Sequence, residues 1–109
     1  MSAPEDRLFL FATIRPKPEH FSDAREALER ITPQTLAEPG CHVFCPFISR
    51  DDPHVLHLFE CFEDEAALQR HYGEAYTRDV FERYGDWLAA PVEVRKLRIS
   101  SPQFLSQFF

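Results

Sequence analysis

The sequence lacks any apolar run that approaches the roughly 20 residues a membrane-spanning helix requires. Its start also lacks the basic region followed by an apolar one that marks a secretory leader. Positive charge is scarce, because 12 Lys and Arg residues stand against 18 Asp and Glu, for a net charge of -6. Binding to phosphate backbones depends on a positive surface. We therefore expect a cytoplasmic protein with neither a nucleic-acid nor a membrane partner.

Cysteine is also scarce, and its spacing matches neither a zinc site nor a disulfide framework. The three cysteines cannot all pair within one chain. Cys41 and Cys45 lie on one predicted strand about 13 Å apart, beyond the roughly 7 Å Cα separation that a disulfide permits. His54 and His57 stand an odd number of residues apart at the start of a strand, so their side chains point to opposite faces. We expect reduced thiols and no metal site.

No Gly/Ser-rich or Pro-rich linker divides the chain, so residues 1–109 are predicted to form one domain. The stretch Leu8 to Ile14 is apolar on both alternating sets, which is typical of a central strand covered on both faces. Apolar residues spaced by three and four from Phe21 to Ile31 predict an amphipathic helix. Pro33 predicts that this helix kinks or restarts, with Thr32 as the cap of the new segment.

A hairpin and two further elements complete the predicted fold. Strands are expected from Cys41 to Ser49 and from Val55 to Phe62, and Pro46 favours an edge position for the first of these because proline donates no ladder hydrogen bond. Asp64 is the expected cap of the next helical region. With a last strand over 92–99, the pattern predicts an α+β, ferredoxin-like βαββαβ fold with an antiparallel four-stranded sheet.

Helices can cover only one face of such a sheet, yet the two central strands are apolar on both faces. A second copy of the sheet is the simplest cover, so we expect a homodimer. The C-terminal tail, residues 100–109, carries four further apolar side chains. We expect them to pack on the partner or across the pocket: Phe104, Leu105, Phe108 and Phe109.

Several motifs carry a family resemblance: Glu38-Pro39-Gly40-Cys41, the run from Phe59 to Leu68, His71, and Leu88-Ala89-Ala90-Pro91-Val92. The sequence resembles the antibiotic biosynthesis monooxygenase (ABM) superfamily, which includes quinol and anthrone monooxygenases, over a core of residues 8–99. The resemblance implies a dimeric α/β barrel. The superfamily also contains haem-degrading enzymes, isomerases and members with no assigned reaction, so the function has to be argued from the site.

The chain departs from two motifs of that superfamily. Members of the quinol type carry two histidines followed by phenylalanine. This chain keeps the first as His71 and has Tyr76 and Thr77 at the other two positions. Positions used by the haem-degrading branch hold Phe11, His71 and Phe81, which leaves a haem ligand missing. We do not expect haem degradation.

The resemblance implies a pocket between the helices and the sheet, with His71 facing it. Glu60 shares a strand face with Leu58 and Phe62, so its carboxylate would need a partner, and His71 is the nearest candidate. A histidine held by a carboxylate suits the removal of a phenolic proton near neutral pH. Tyr76 is expected to bind a ring oxygen. The aromatic side chains expected to stack on the substrate are Phe11, Phe44, Phe62, Phe81 and Trp87.

The first hypothesis is therefore a cofactor-independent monooxygenase for a small quinol-like aromatic, whose anion reduces dioxygen directly without flavin or metal. Two alternatives stay open. One is a small-molecule-binding or structural dimer without turnover, in which His71 is only a satisfied structural residue and the phenylalanines are core. The other is an isomerase or lyase of the same superfamily, in which His71 moves protons and oxygen takes no part.

Overall fold

A computed structural model describes residues 3–108 of the chain. Its main elements are β1 (Leu8–Ile14), α1 (Phe21–Leu36), β2 (Cys41–Ile48), β3 (Leu56–Phe62), α2 (Glu65–Gly73), α3 (Ala75–Trp87) and β4 (Glu93–Leu97). The strands form one antiparallel sheet in the order β2-β3-β1-β4. The predicted α+β fold with a four-stranded antiparallel sheet is confirmed. The assembly of two sheets into a barrel stays a prediction.

The core lies between the sheet and the three helices. Leu10 and Ile14 of β1 point to this side and are almost fully buried, as are Leu56 and Phe62 of β3. Leu10 pairs with Glu60 across the antiparallel ladder, so Glu60 is carried on the same, helix-facing side. Alternation along the two central strands therefore puts one carboxylate among apolar side chains.

Strand β2 lies at a sheet edge and pairs with β3, as Pro46 predicts. The missing N–H of Pro46 costs no ladder bond there, because a proline at an edge can turn its nitrogen away from the neighbouring strand. A register shift between Cys41 and Val43 bends the start of β2. The strand therefore curves toward the turn that joins it to α1.

Helix α1 does not restart at Thr32, and this prediction is wrong. The helix is continuous from Phe21 to Leu36, with Pro33 inside it. Proline removes the N–H that would bond to the carbonyl of Glu29, but Glu29 is exposed and water can satisfy that oxygen. The Thr32 hydroxyl donates to the carbonyl of Leu28 at 2.8 Å, so Thr32 acts inside the helix rather than as a cap.

Helices α2 and α3 meet at Glu74, which has extended backbone geometry between them. The Asp64 side chain accepts a hydrogen bond from the backbone N–H of Ala67 at 2.9 Å, so the predicted cap is confirmed. This cap fixes where α2 starts and therefore which of its residues face the sheet. Within residues 3–108, no helix combines the length and apolar character needed to cross a membrane.

The outer sheet face, opposite the helices, is apolar and incompletely covered. Its exposed members include Phe47 and Leu97, at 49% and 47% exposure. Phe108 covers part of it, with its ring centroid 5.3 Å from that of Phe9 and 6.3 Å from that of Phe59. Phe108 thus packs on the sheet of its own chain rather than across the pocket, whereas Phe104 is 42% exposed. Packing of the tail on a partner stays a prediction. Phe109 lies outside the described residues.

Candidate active site

His71 is the central side chain of the site and is 3% exposed. Helix α2 places it there, because Ala67, Leu68 and His71 follow one another at helical spacing on the buried side of the helix. Phe44 and Phe62 flank the imidazole, with ring centroids 5.7 and 5.2 Å from it. The ring is therefore held in a mainly apolar environment, where interactions with charged groups are strengthened.

The direct partner of His71 is Glu38, not Glu60. Glu38 follows α1, and its Oε2 lies 2.9 Å from His71 Nδ1, with Oε1 at 3.2 Å. The Glu38 side chain is also nearly buried, at 9% exposure. When Nδ1–H donates to this carboxylate, the neutral imidazole keeps its lone pair on Nε2. The predicted pairing of Glu60 with His71 is present only at ion-pair range, on the other nitrogen, and the hydrogen-bonded carboxylate is the one that arrives from the turn after α1.

Glu60 lies on the other side of the imidazole. Its Oε1 is 4.0 Å from His71 Nε2, too long for a direct hydrogen bond. Burial and then the nearby negative charge of Glu38 raise the pKa of Glu60 to about 7. At neutral pH this carboxyl is therefore divided between its protonated and ionised forms, so it can give or take a proton beside Nε2.

Gly40 allows the Glu38 turn to approach α2. Its φ is +85°, and a Cβ at this position would lie 2.8 Å from the Cβ of Ala67. The backbone N–H of Glu63 also donates to the carbonyl of Gly40 at 2.7 Å. The turn is thus pressed against the start of α2 in a conformation that favours glycine. This close approach brings Glu38 within reach of His71.

A cavity of about 50 Å³ adjoins His71 and Glu60 between the sheet and the helices. Tyr72 and Thr77 complete its polar edge. Its apolar walls are formed by Ala12, Ile14, Leu28, Ile31, Phe44, Leu58, Val80, Phe81, Tyr84, Val92 and Val94. The space is well below the roughly 150 Å³ of a cavity that admits benzene. A ring can therefore occupy it only if wall residues move, and Phe81, which is 51% exposed, has room to do so.

The structure brings some of the predicted aromatic residues together and separates others. Phe44 and Phe81 line the cavity. Phe62 contacts the His71 ring but does not line the cavity. Phe11 lies on the outer sheet face, where its ring stacks on His57 with centroids 5.0 Å apart. The expectation that it stacks on a ligand in this cavity is wrong, because an odd position on β1 points away from the helices.

Trp87 is also outside the cavity. It ends α3, where its ring stacks on His20 and lies 5.9 Å from the Arg83 guanidinium. The predicted contact of Trp87 with a substrate in the cavity is wrong, because at the end of α3 this side chain points toward α1 instead of the sheet. Its role in the structure is packing at the surface between the two helices.

Tyr76 likewise does not line the cavity. Its hydroxyl donates a hydrogen bond to Glu38 Oε2. It therefore contacts the group that holds His71 and cannot reach a ring oxygen in the cavity, so the predicted substrate contact is wrong. Thr77, the next residue, places its hydroxyl 3.5 Å from His71 Nδ1.

The sequence did not single out Glu38, Tyr72 or Thr77 as site residues. Glu38 is 33 positions from its partner, and only its place beside Pro39 and Gly40 in a tight turn marks it. Tyr72 follows His71 on α2 and lines the cavity. Burial raises its pKa to about 12, so its hydroxyl stays protonated and can donate to a ligand.

The site does not converge on a metal. Among the residues that the structure describes, no group of three or more His, Cys, Asp or Glu side chains is arranged to hold an ion. Glu38 and Glu60 face different nitrogens of one imidazole, so they cannot share an ion with it. The arrangement is instead one of a base between two carboxyl groups.

Replacing Glu60 with glutamine is expected to stabilise the protein at pH 8 by roughly 1–3 kcal/mol, with little effect at pH 4. Because the pKa of Glu60 is higher in the folded protein than in the unfolded chain, the unfolded chain loses the carboxyl proton at lower pH. The free energy of unfolding therefore falls as pH rises from about 4.5 to about 7. Urea unfolding of both proteins at both pH values measures this. The exposed Glu29→Gln serves as the control. Wild type as stable as the variant at pH 8 would contradict a buried, destabilised carboxylate.

Comparison with known proteins identifies the family of this chain. A family model described as antibiotic biosynthesis monooxygenase matches residues 7–83, more than half of the chain. The chain belongs to this family. The resemblance to the ABM superfamily is thus confirmed. Family membership is consistent with monooxygenase-like chemistry, but it specifies neither a substrate nor a catalytic residue.

Two proteins that are similar to this chain match most of its length. "Putative monooxygenase Rv0793" of Mycobacterium tuberculosis is 30% identical over 88 residues, covering 81% of this chain and 86% of the relative. Its structure matches with a TM-score of 0.82 and 28% identity, over 87% of this chain and 96% of that one. The structure of PA3566 from Pseudomonas aeruginosa matches with a TM-score of 0.84 and 25% identity, over 91% and 99%.

Proposed function

We propose that this ABM protein is a cofactor-independent monooxygenase for a small, quinol-like aromatic compound, with His71 as the general base. The observation that carries the proposal is the buried imidazole whose Nδ1 lies 2.9 Å from Glu38. The opposite nitrogen, Nε2, adjoins the cavity beside Glu60. A carboxylate on one nitrogen orients the ring and fixes its tautomer, so that the lone pair of the other nitrogen is available to a proton-abstracting group.

The proposed reaction starts with transfer of a phenolic proton from the quinol to His71 Nε2. The electron-rich anion reduces dioxygen, and a bond forms between a ring carbon and oxygen to give a peroxide anion, which takes the proton back from His71 to become a hydroperoxide. Loss of the proton on that carbon breaks the O–O bond, and the departing hydroxide takes a proton to become water. Quinol and dioxygen thus become hydroxyquinone and water, with every electron supplied by the quinol. The site residues only move protons, and the apolar walls exclude water.

Glu60 has a separate role in this scheme. Its pKa of about 7 allows it to take the carbon-bound proton in one form and to protonate the departing hydroxide in the other. Tyr72 remains protonated and can donate a hydrogen bond to the second ring oxygen, a function that the sequence assigned to Tyr76. Phe44 and Phe81 would hold the ring plane, after Phe81 has moved to enlarge the cavity.

The test is oxygen uptake by the purified protein with a panel of hydroquinones. We expect one dioxygen consumed per quinol and a product that has gained one oxygen atom and lost two hydrogens by mass spectrometry. Labelled dioxygen should place its isotope in the product. Oxygen uptake that yields hydrogen peroxide, with no oxygen atom from dioxygen added to the ring, would contradict monooxygenation.

Proton transfer without oxygen is the second candidate. It is favoured by the two carboxyl groups around one imidazole, since Glu60 can act as the acid while His71 acts as the base. An isomerase or lyase would use the same residues under anaerobic conditions. Substrate turnover in the absence of oxygen, followed by proton exchange into the product, would favour this reading over the first.

We also propose that a second copy of the chain covers the outer sheet face. Its support is the exposed Phe47 and Leu97 and the partly buried Phe11 and Phe59, which leave an apolar surface beside the tail. Sedimentation equilibrium at micromolar concentration should give about twice the 12.8 kDa mass of one chain. Phe47→Asp should weaken the dimer. A stable, well-folded single subunit would contradict this assembly.

A further inference from the structure

Tyr76 occupies a position between the buried site and the surface. It lines a groove of about 400 Å³ between α1 and α3, together with charged side chains such as Arg30 and Asp79. This groove is separate from the cavity beside His71, with which it shares only Ile31 and Val80. The Tyr76 hydroxyl therefore stands where water in a polar groove can reach it.

From this hydroxyl, polar contacts run inward without a break. Tyr76 donates to Glu38 Oε2, and the Glu38 carboxylate lies within 3.2 Å of His71 Nδ1 through both of its oxygens. On the far side of the imidazole, Nε2 adjoins Glu60 and the cavity. The Tyr76 O–H and the His71 Nδ1–H both point at Glu38, so a proton can cross outward only after the Tyr76 O–H turns away from Glu38. The Gln34 carbonyl lies 3.4 Å from the Tyr76 oxygen and can accept the turned O–H, which leaves a lone pair of that oxygen free to accept from Glu38.

The other side chains that contact the imidazole do not connect it to solvent through polar groups. The Thr77 hydroxyl is 3.5 Å from Nδ1, but Thr77 is itself buried, at 3% exposure. The flanking Phe44 and Phe62 rings have no group that can accept or donate a proton. A proton taken up by His71 from a ligand in the apolar cavity therefore has Glu38 and Tyr76 as its polar connection outward among the described residues.

We propose that Tyr76, Glu38 and His71 form a proton path between the groove and the cavity, with Tyr76 as its outer end. One proton enters the imidazole at Nε2 while another leaves from Nδ1 to Glu38. With the Tyr76 O–H turned from Glu38 toward the Gln34 carbonyl, Glu38 passes a proton to the Tyr76 oxygen as the original O–H proton leaves to water. Proton number and charge balance, and no electrons move. Glu74, Cys41 and Glu60 are the other titratable groups whose charges bear on this path.

The path concerns the site of the proposed function, but it is tested on the resting protein without substrate. Exchange of the His71 Nδ1–H with solvent, followed by NMR, should slow by roughly 10²-fold in Tyr76→Phe, which keeps the ring and removes the hydroxyl. Glu38→Gln keeps the shape of the side chain but cannot carry a proton, and should slow exchange similarly. Tyr72→Phe makes the same change beside His71 on the cavity side and should leave exchange unaltered.

The outcomes separate the path from the proposed function. Exchange in Tyr76→Phe within about twofold of wild type, or equal slowing in Tyr72→Phe, would overturn the path. If hydroquinones are turned over, Tyr76→Phe should also lower kcat while leaving KM unchanged, because it does not touch the ligand. If no quinol is turned over by wild type, the proposed function fails, while slow exchange in Tyr76→Phe alone would still support the path.

Discussion

Replacing His71 with asparagine is expected to lower kcat/KM for quinol-dependent oxygen uptake by roughly 10²- to 10⁴-fold, the range that a positioned proton-transfer group contributes. Asparagine can still donate a hydrogen bond to Glu38 through its side-chain amide, but it cannot take a proton near neutral pH. The loss should appear mainly in kcat, because the apolar walls that bind the ring are unchanged. Oxygen-electrode traces at saturating quinol measure this directly.

The matched control is His54→Asn, which makes the same chemical change in the exposed turn before β3. It should retain wild-type uptake. Folding of His71→Asn is checked by circular dichroism and urea unfolding, since two buried carboxyl groups lose their shared partner. Undiminished uptake by a folded His71→Asn protein would remove His71 from the mechanism.

Replacing Gly40 with alanine is expected to destabilise the protein by roughly 2–4 kcal/mol. A left-handed backbone costs a residue with a Cβ about 1–2 kcal/mol, and overpacking adds a cost of about the same size. The added methyl would meet Ala67 at 2.8 Å, and neither α2 nor the turn can yield without moving the other. Because the turn carries Glu38, the contact with His71 should loosen as well.

Urea unfolding measures this cost, and the other two glycines provide the comparison. A Cβ at Gly73 or Gly85 meets nothing within 4 Å, and neither residue has a positive φ. Gly85 lies inside α3, where alanine has the better helix propensity, so Gly85→Ala should stabilise by about 0.5–1 kcal/mol. Equal effects at positions 40 and 85 would show that the Glu38 turn is not closely packed.

The sequence predicts the fold well because the fold rests on local patterns. Leu8 to Ile14 identifies a two-sided central strand, Pro46 identifies an edge, and Asp64 identifies a helix start. Each depends on alternation, helical spacing or a single backbone property that is visible within a few residues. The exception at Pro33 has the same origin, since whether a helix continues through proline depends on the solvent exposure of the carbonyl it leaves free.

The site was predicted less completely, because it depends on contacts between distant segments. His71 follows from its helical spacing, and Glu60 from its strand face. Glu38 could not be found this way, since its approach to His71 depends on the geometry of the Gly40 turn. Phe11 and Trp87 were placed in the cavity because they are aromatic. Aromatic character alone does not show on which face of a sheet, or toward which neighbouring element, a side chain points.

The central claim is that Glu38 holds the His71 imidazole with its proton on Nδ1 and its lone pair on Nε2, beside the cavity. Nitrogen-15 NMR of the imidazole at neutral pH tests this most directly, because the two nitrogens of each tautomer have distinct shifts. The account predicts the Nδ1–H tautomer in wild type and its partial loss in Glu38→Ala. A neutral imidazole protonated on Nε2 in the wild-type protein would contradict the account.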